Sequence, residues 1–309
     1  MDRLSHQAKR LRDVAAALGR RRALAERERW PRERLERYQQ ERLEALVRHA
    51  VERSSFWRER LPRGRVRIEQ LPILTKAEMM DRYDDLVTDR RLRRDELLAH
   101  LERIDADELY LGEFRAMTTS GSSGTKGLFV YGREAWVGLL AQFLRYGDWA
   151  GVRPRLPRLR VAAIGGAAPT HMTQRVSATI DIGLHRVRKL AVTLPIAELV
   201  EELNAFRPQF LNAYPSLAAQ LAEEQLAGRL GLRLEGMSTS SEILTPQTRQ
   251  RIEAAFGVRP TDLYGTTEGI WGCECERRDG LHLFEDMCLV ENVDADGSPV
   301  PRANRAQSC

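Results

Sequence analysis

Four short strand-like segments, at residues 159–164 (an apolar run), 210–214, 234–238 and 259–264, most narrow the folds open to this 309-residue chain. Turn residues follow the first two: Gly165-Gly166 and Pro215-Ser216. Between the runs lie segments with helical apolar spacing, at residues 195–206, 216–226 and 246–256. Short buried strands alternating with helices of this length predict a helix-covered, mostly parallel sheet, so the fold class is α/β. Ser216 and Thr245 are the expected N-caps, with Pro246 at the first helical position. In such sheets, ligands bind beyond the carboxyl ends of the strands. Three polar segments fall there: Asn212-Ala213-Tyr214-Pro215-Ser216, Ser240-Ser241-Glu242 and Tyr264-Gly265-Thr266-Thr267-Glu268.

The N-terminal part reads as helical. Residues 1–29 have helical apolar spacing with a break expected near Gly19. Pro31 fits the first turn of a second amphipathic helix that continues to about residue 60, interrupted at Ser54-Ser55 and Pro62. Thr75 and Glu78 form a capping-box pattern. Residues 112–131 read as strand, loop, strand, and 134–149 as a helix. The net charge is +5, but residues 1–66 hold nineteen Lys and Arg against ten Asp and Glu. The basic excess is therefore confined to the N-terminal segment. It fits either a nucleic-acid-binding face or a solvated helix surface laced with Glu–Arg pairs, and the second reading is preferred. There is no apolar run of about 18 residues to span a membrane and no apolar leader core. Four clustered cysteines are too few for a disulfide framework. A cytoplasmic protein with neither nucleic-acid nor membrane partners is expected.

Between residues 117 and 127 the chain packs three glycines, a series of hydroxyl side chains and Lys126 before the apolar Leu128-Phe129-Val130-Tyr131. Glycines let backbone N–H groups turn toward a ligand, hydroxyls add donors and the lysine adds a cation, a combination suited to a phosphate chain. The spacing is not that of a Walker A loop. The competing reading is a flexible Gly/Ser linker. Glu268, beside Thr266 and Thr267 at a strand end, is a candidate magnesium ligand, or else a solvent-facing turn residue. Cys273, Cys275, His282 and Cys288 form a candidate zinc set, although the C-x-C spacing is tight and Cys288 lies in an apolar run that suits a buried thiol. His171 could border a pocket or serve structure alone.

Taken together, the loop and the Tyr264–Glu268 motif resemble those of the adenylate-forming superfamily. Leu71-Pro72-Ile73-Leu74-Thr75-Lys76, Asn212–Ser216 and Gly280-Leu281-His282, with Glu285-Asp286 and Glu291, resemble its phenylacetate–CoA ligase branch. The resemblance runs from about residue 31 to 300. It implies the large N-terminal, AMP-binding domain over 31–300, preceded by an Arg-rich helical extension at 1–30. It further implies that Thr118, Thr119, Ser120, Gly121, Ser122, Ser123, Gly124, Thr125 and Lys126 wrap the β- and γ-phosphates of ATP. Thr267 would meet the α-phosphate and Glu268 would hold Mg2+. Ser241 and Glu242 would line the adenine pocket, with Tyr264, Gly265 and Thr266 beside the nucleotide. Tyr214, Pro215, Ser216 and His171 would lie near the acyl group. The implied reaction activates a carboxylic acid, of aryl or related type, as an acyl-adenylate and passes it to a thiol such as CoA. A homodimer is a candidate assembly.

The sequence departs from the family pattern twice. Gly124-Thr125-Lys126-Gly127 is one residue shorter than the common Gly-x-Pro-Lys-Gly ending. The family continues past a segment like Asp294–Val300 into a small C-terminal domain with a catalytic lysine, whereas here nine residues follow, 301–309, with no apolar pattern. A chain truncated before that domain, with impaired catalysis or nucleotide binding alone, is the expectation.

Overall fold

The computed structural model describes residues 3–62, 64–104, 107–119, 126–166, 168–275, 280–294, 296–298 and 300. Helix α1 (Arg3–Arg27) runs straight through Gly19. A mid-helix glycine costs about 1 kcal/mol relative to alanine. Packing outweighs that cost, because Ala17 and Leu24 are buried in one cluster with Met117, Trp136 and Leu140. Pro31 sits just outside α2 (Arg32–Arg53) as its N-cap, not in its first turn. Ser54 ends α2 and caps α3 (Ser55–Arg60), accepting the Trp57 N–H at 3.2 Å. Thr75 caps α4 (Lys76–Asp81) by accepting the Glu78 N–H, but the Glu78 carboxylate pairs with Arg60. Short α5 (Tyr83–Leu86) and α6 (Arg94–Arg103) follow.

Strands β1 (Arg115–Thr118) and β2 (Leu128–Tyr131) form an antiparallel pair, Thr118 opposite Leu128 and Arg115 opposite Tyr131. After α7 (Arg133–Trp149) come β3 (Arg160–Gly165), α8 (Met172–Ile180), β4 (Arg186–Ala191), α9 (Ile196–Phe206), β5 (Phe210–Ala213), α10 (Pro215–Leu226), β6 (Gly236–Ser240), α11 (Pro246–Phe256), β7 (Thr261–Thr266), β8 (Gly269–Glu274) and β9 (Leu281–Leu283). Among the described residues the main sheet has the order β4-β3-β5-β6-β7-β8-β9. Neighbours are parallel from β4 to β7 and antiparallel from β7 to β9.

Both faces are covered. On one, Leu199 and Leu203 of α9, Leu217 and Leu221 of α10, and Ile252 and Phe256 of α11 pack on Ile164, Leu211, Ala213 and Met237. On the other lie α1, α7 and α8, with Val176, Ile270 and Phe284 in their cluster. The expected α/β class and mostly parallel sheet are observed. Helix α8 and strands β4, β8 and β9 were not anticipated. No described helix is long and apolar enough to cross a membrane.

The close approach of β8 and β9 is made at Gly272, which pairs with Leu283. A Cβ there would lie 2.5 Å from the His282 carbonyl oxygen and 3.1 Å from the Leu283 Cα. Neither backbone atom can rotate away. Gly272→Ala is therefore expected to lower unfolding stability by about 1–3 kcal/mol, as overpacking does, measured by urea denaturation.

Many N-terminal arginines are committed within the fold. Arg20 pairs with Glu134, Arg21 with Asp148, Arg27 with Asp286 at 3.7 Å and Arg32 with Glu285 at 2.6 Å. Arg10 donates to the Asp181 carbonyl at 2.7 Å. Most of these contacts are exposed, and such pairs contribute little to stability individually. They join α1 and the start of α2 to later parts of the chain, rather than lacing one helix surface with Glu–Arg pairs.

Candidate nucleotide and acyl site at the carboxyl edge of the sheet

Strand β5 ends at Ala213, β6 at Ser240 and β7 at Thr266, so the three polar segments do share one sheet edge. The turn after β5 differs from expectation. Tyr214, not Ser216, is the N-cap residue of α10, and Pro215 takes the first helical position. Proline at that position gives up only an N–H that has no helical partner. Ser216 has another role: its N–H and hydroxyl donate to the two carboxylate oxygens of Glu242, at 2.9 and 3.0 Å. Glu242 thereby joins the β6 turn to the β5–α10 turn. Ser241 beside it has φ +70°, a left-handed conformation that is costly for a residue with a side chain.

The stem of the Ser/Thr/Gly loop is closed by two hydrogen bonds. Thr119 N–H donates to the Gly127 carbonyl at 3.0 Å, and Gly127 N–H donates to the Thr119 hydroxyl at 2.9 Å. A Cβ at Gly127 would meet the Phe129 ring at 2.8 Å. Thr118 N–H donates to the Thr170 carbonyl at 3.2 Å, which brings the segment holding His171 to the loop's base. The His171 ring packs on Gly166. Lys126 is exposed. Ser120, Gly121, Ser122, Ser123, Gly124 and Thr125 lie outside the described residues.

The Tyr264–Glu268 motif is not a loop beyond a strand. Tyr264, Gly265 and Thr266 belong to β7, the Thr266–Gly269 pair closes a hairpin, and Thr267 and Glu268 are its turn. The register shifts between Tyr264 and Gly265, and Tyr264 is half exposed. The Glu268 N–H donates to the Thr266 hydroxyl at 3.3 Å, and that oxygen also accepts the Trp271 indole N–H at 2.8 Å. The Glu268 carboxylate is exposed, with no hydrogen bond or ion pair among the described residues. A free, hydrated carboxylate is a fitting oxygen donor for magnesium.

Sequence reasoning missed two groups of residues. One is Tyr131, at the end of β2, whose hydroxyl donates to the Thr267 carbonyl at 2.8 Å. Burial first, and the charge of Glu268 second, push its phenol above the ordinary range. The other is a buried ion network between α1, β1 and α8. Arg115 on β1 pairs with Asp13 at 3.2 Å and with Asp107 at 3.5 Å. Arg175 on α8 pairs with Asp107 at 3.2 Å and donates to the carbonyls of Glu108 and Ala116 at 2.6 and 2.8 Å. The Arg115 guanidinium lies 4.7 Å from the centre of the Trp136 ring. A charged residue in an otherwise apolar strand, Arg115 in Arg-Ala-Met-Thr, was the signal available.

The zinc set does not form. Cys273, Cys275, His282 and Cys288 do not converge, and no group of three or more His, Cys, Asp or Glu among the described residues is arranged to hold a metal. Cys288 donates to the Phe284 carbonyl at 3.3 Å, and the His282 ring packs edge-on against Trp149 at 5.2 Å. Burial pushes the thiols of Cys273 and Cys288 up to about 12 and about 11, away from the thiolate a metal needs. Two clefts, of 220 and 770 Å3, open beside α2 and residues 62–69, and none of the motif residues lines either.

No family model matches the chain. A phenylacetate–coenzyme A ligase from Thermus thermophilus is 29% identical over 292 residues, covering 88% of this chain and 60% of its own length. In solved structures, 2-hydroxyisobutyryl-CoA ligase in an open conformation with 2-HIB-AMP and CoA has a TM-score of 0.64 at 20% identity, covering 85% of this chain and 58% of that one. The same ligase in its thioesterification state has a TM-score of 0.66 at 19% identity, covering 88% and 58%. These likenesses show that the chain shares the fold of the large part of these CoA ligases, and that its sequence is similar to that of a phenylacetate–CoA ligase. The chain spans about 60% of the length of the relatives it matches.

Proposed function

We propose that this chain is the nucleotide- and acid-binding body of an AMP-forming carboxylate-activating enzyme. The reaction is attack of a substrate carboxylate oxygen on the α-phosphorus of ATP. A new O–P bond forms, the bond to the β-phosphate oxygen breaks, and pyrophosphate leaves with the electron pair. The resulting acyl-adenylate then acylates a thiol, with CoA as the acceptor favoured by the named ligases among the relatives. An aryl or related acid is the substrate class, and the cytoplasm is the setting. Residues 31–300 make up the binding body, and α1 packs on it through Ala17 and Leu24.

Catalysis on this reading is alignment and charge neutralisation, with little covalent work for the protein. Loop residues 118–126 hold the β- and γ-phosphates, Thr267 contacts the α-phosphate and Glu268 holds Mg2+. The bound metal would offset negative charge on the phosphate oxygens as pyrophosphate departs. Tyr214, Pro215 and His171 border the acyl group. Ser216 contributes through its clasp with Glu242, which keeps the acyl-side and adenine-side turns in register.

One observation carries the proposal: β2, which starts at the Thr119–Gly127 stem of the phosphate-type loop, holds the Thr267–Glu268 turn at its other end through the Tyr131 hydrogen bond. Isothermal titration with ATP and with AMP, in the presence of Mg2+, tests it. Saturable binding of both is expected. A folded chain that binds neither would remove the proposal.

A further inference from the structure

We infer that Tyr131 is a positioning residue that sets where the Glu268 carboxylate can meet a metal–nucleotide complex. The inference rests on the nucleotide-site reading above and goes beyond it by assigning a residue outside both motifs.

The peptide unit between Thr267 and Glu268 is gripped at both of its polar atoms. Its carbonyl accepts from the Tyr131 hydroxyl at 2.8 Å, and its N–H donates to the Thr266 hydroxyl at 3.3 Å. A peptide unit is planar, so fixing both ends fixes the Glu268 Cα that leaves it. Each grip is itself held. Thr266 accepts from the Trp271 indole at 2.8 Å. The Tyr131 ring meets the fully buried Trp136 edge-on, with centroids 5.8 Å apart and planes at 75°. Without the phenol, the Thr267–Glu268 peptide unit would be held within the hairpin only at its N–H. The exposed Glu268 side chain has no other restraint among the described residues.

Tyr131 is also the last residue of β2, four residues past Gly127, whose pairing with Thr119 closes the loop stem. The same strand therefore leaves the loop stem at its start and holds the Thr267–Glu268 turn at its end. One rigid strand links the residues proposed for the β- and γ-phosphates to the proposed metal ligand. A ligand that shifts β2 would move both together.

The test uses Tyr131→Phe, which keeps the ring against Trp136 and removes only the donor. The probe is ATP binding followed by calorimetry across a Mg2+ titration, alongside metal-free ATP binding and thermal melting. A neutral hydrogen bond is worth about 0.5–1.5 kcal/mol, which corresponds to roughly a two- to tenfold change in a midpoint. The Mg2+ concentration for half-maximal ATP binding is expected to rise by that factor. Metal-free ATP affinity and melting temperature should stay close to wild type. Replacing Tyr131 with 4-aminophenylalanine, which restores a donor at the same place, is expected to return the midpoint toward wild type. An unchanged Mg2+ midpoint in Tyr131→Phe would overturn the inference. So would a loss of metal-free affinity and melting temperature in step with the midpoint, because that pattern marks a merely structural residue. If the folded wild-type chain binds no ATP at all, the nucleotide reading itself falls, and this inference falls with it.

Discussion

Asp107→Ala is expected to lower unfolding stability by about 3–5 kcal/mol, the usual cost of removing one partner from a buried ion pair. Equilibrium urea unfolding followed by circular dichroism measures it. Asp107 is 6% exposed, and its carboxylate serves Arg175 at 3.2 Å, Arg115 at 3.5 Å and the Thr179 hydroxyl at 3.3 Å. Arg115 and Arg175 are themselves 2% and 1% exposed. Desolvation is the largest influence on Arg175 and draws its pKa down, while Asp107 works against it. Removing the carboxylate leaves Arg175, among the described residues, with the Glu108 and Ala116 carbonyls. Arg115 would keep Asp13, which is shared with Arg133 at 2.9 Å. Domains of this kind are stable by about 5–15 kcal/mol, so the loss is a large fraction of the total. A milder effect is expected for Asp107→Asn, which keeps an acceptor for the guanidinium N–H groups. A loss below about 1 kcal/mol for Asp107→Ala would mean that water or backbone groups satisfy the arginines without it.

That network also explains why part of this molecule could not be read from its sequence. Periodicity detects helices whose buried face is apolar. Helix α8 buries Arg175 among its core positions, and Arg175 finds its partners some sixty residues back, on segments that sequence spacing does not relate. Strand β4 was hidden differently. It is the sheet's edge, and its Arg186, Arg188 and Lys189 are exposed, as edge strands need in order to resist pairing with other chains. Strands β3 and β5 were legible from their apolar residues, as in central parallel strands, whereas β6 (Gly-Met-Ser-Thr-Ser) and β7 were legible through the helices and turn residues that flank them. At the site, local chemistry marked Thr267 and Glu268 and the loop, but not the hairpin that presents them. The sequence pattern there is dominated by Gly and Thr, which read as a turn. Nothing local could link Tyr131 to Thr267, since their meeting depends on how the β1–β2 pair packs beside β7. The cysteines misled for a related reason. Cys273 and His282 do face each other across β8 and β9, but Cys288 turns to the Phe284 carbonyl in an apolar setting.

Glu268→Ala is expected to lower ATP–pyrophosphate exchange by about 10²–10³-fold, the typical cost of deleting one preorganised group that stabilises transition-state charge. The assay is exchange of labelled pyrophosphate into ATP over a panel of aryl and aliphatic acids, with wild type and variant side by side. The physical basis is specific. Glu268 is the only carboxylate on the two-residue β7–β8 turn; its backbone is held through Thr266 and Tyr131, and its side chain is exposed with no partner among the described residues. A carboxylate that served the fold would be paired, as Glu242 is with Ser216 and Glu274 is with Arg249 at 2.5 Å. Removing Glu268 should therefore cost activity and almost no stability, with the melting temperature within a few degrees of wild type. Surface substitutions without structural partners stay within about 0.5 kcal/mol. Glu268→Gln separates charge from shape, since it keeps the side-chain length while replacing an anionic ligand for Mg2+ by a neutral one. It should fall nearly as far as alanine if metal binding is the role, and recover much of the loss if only hydrogen bonding matters. Exchange by wild type that is untouched by Glu268→Ala would remove the metal assignment. It would leave the loop at 118–126 as the place to look for the charge that neutralises the departing pyrophosphate.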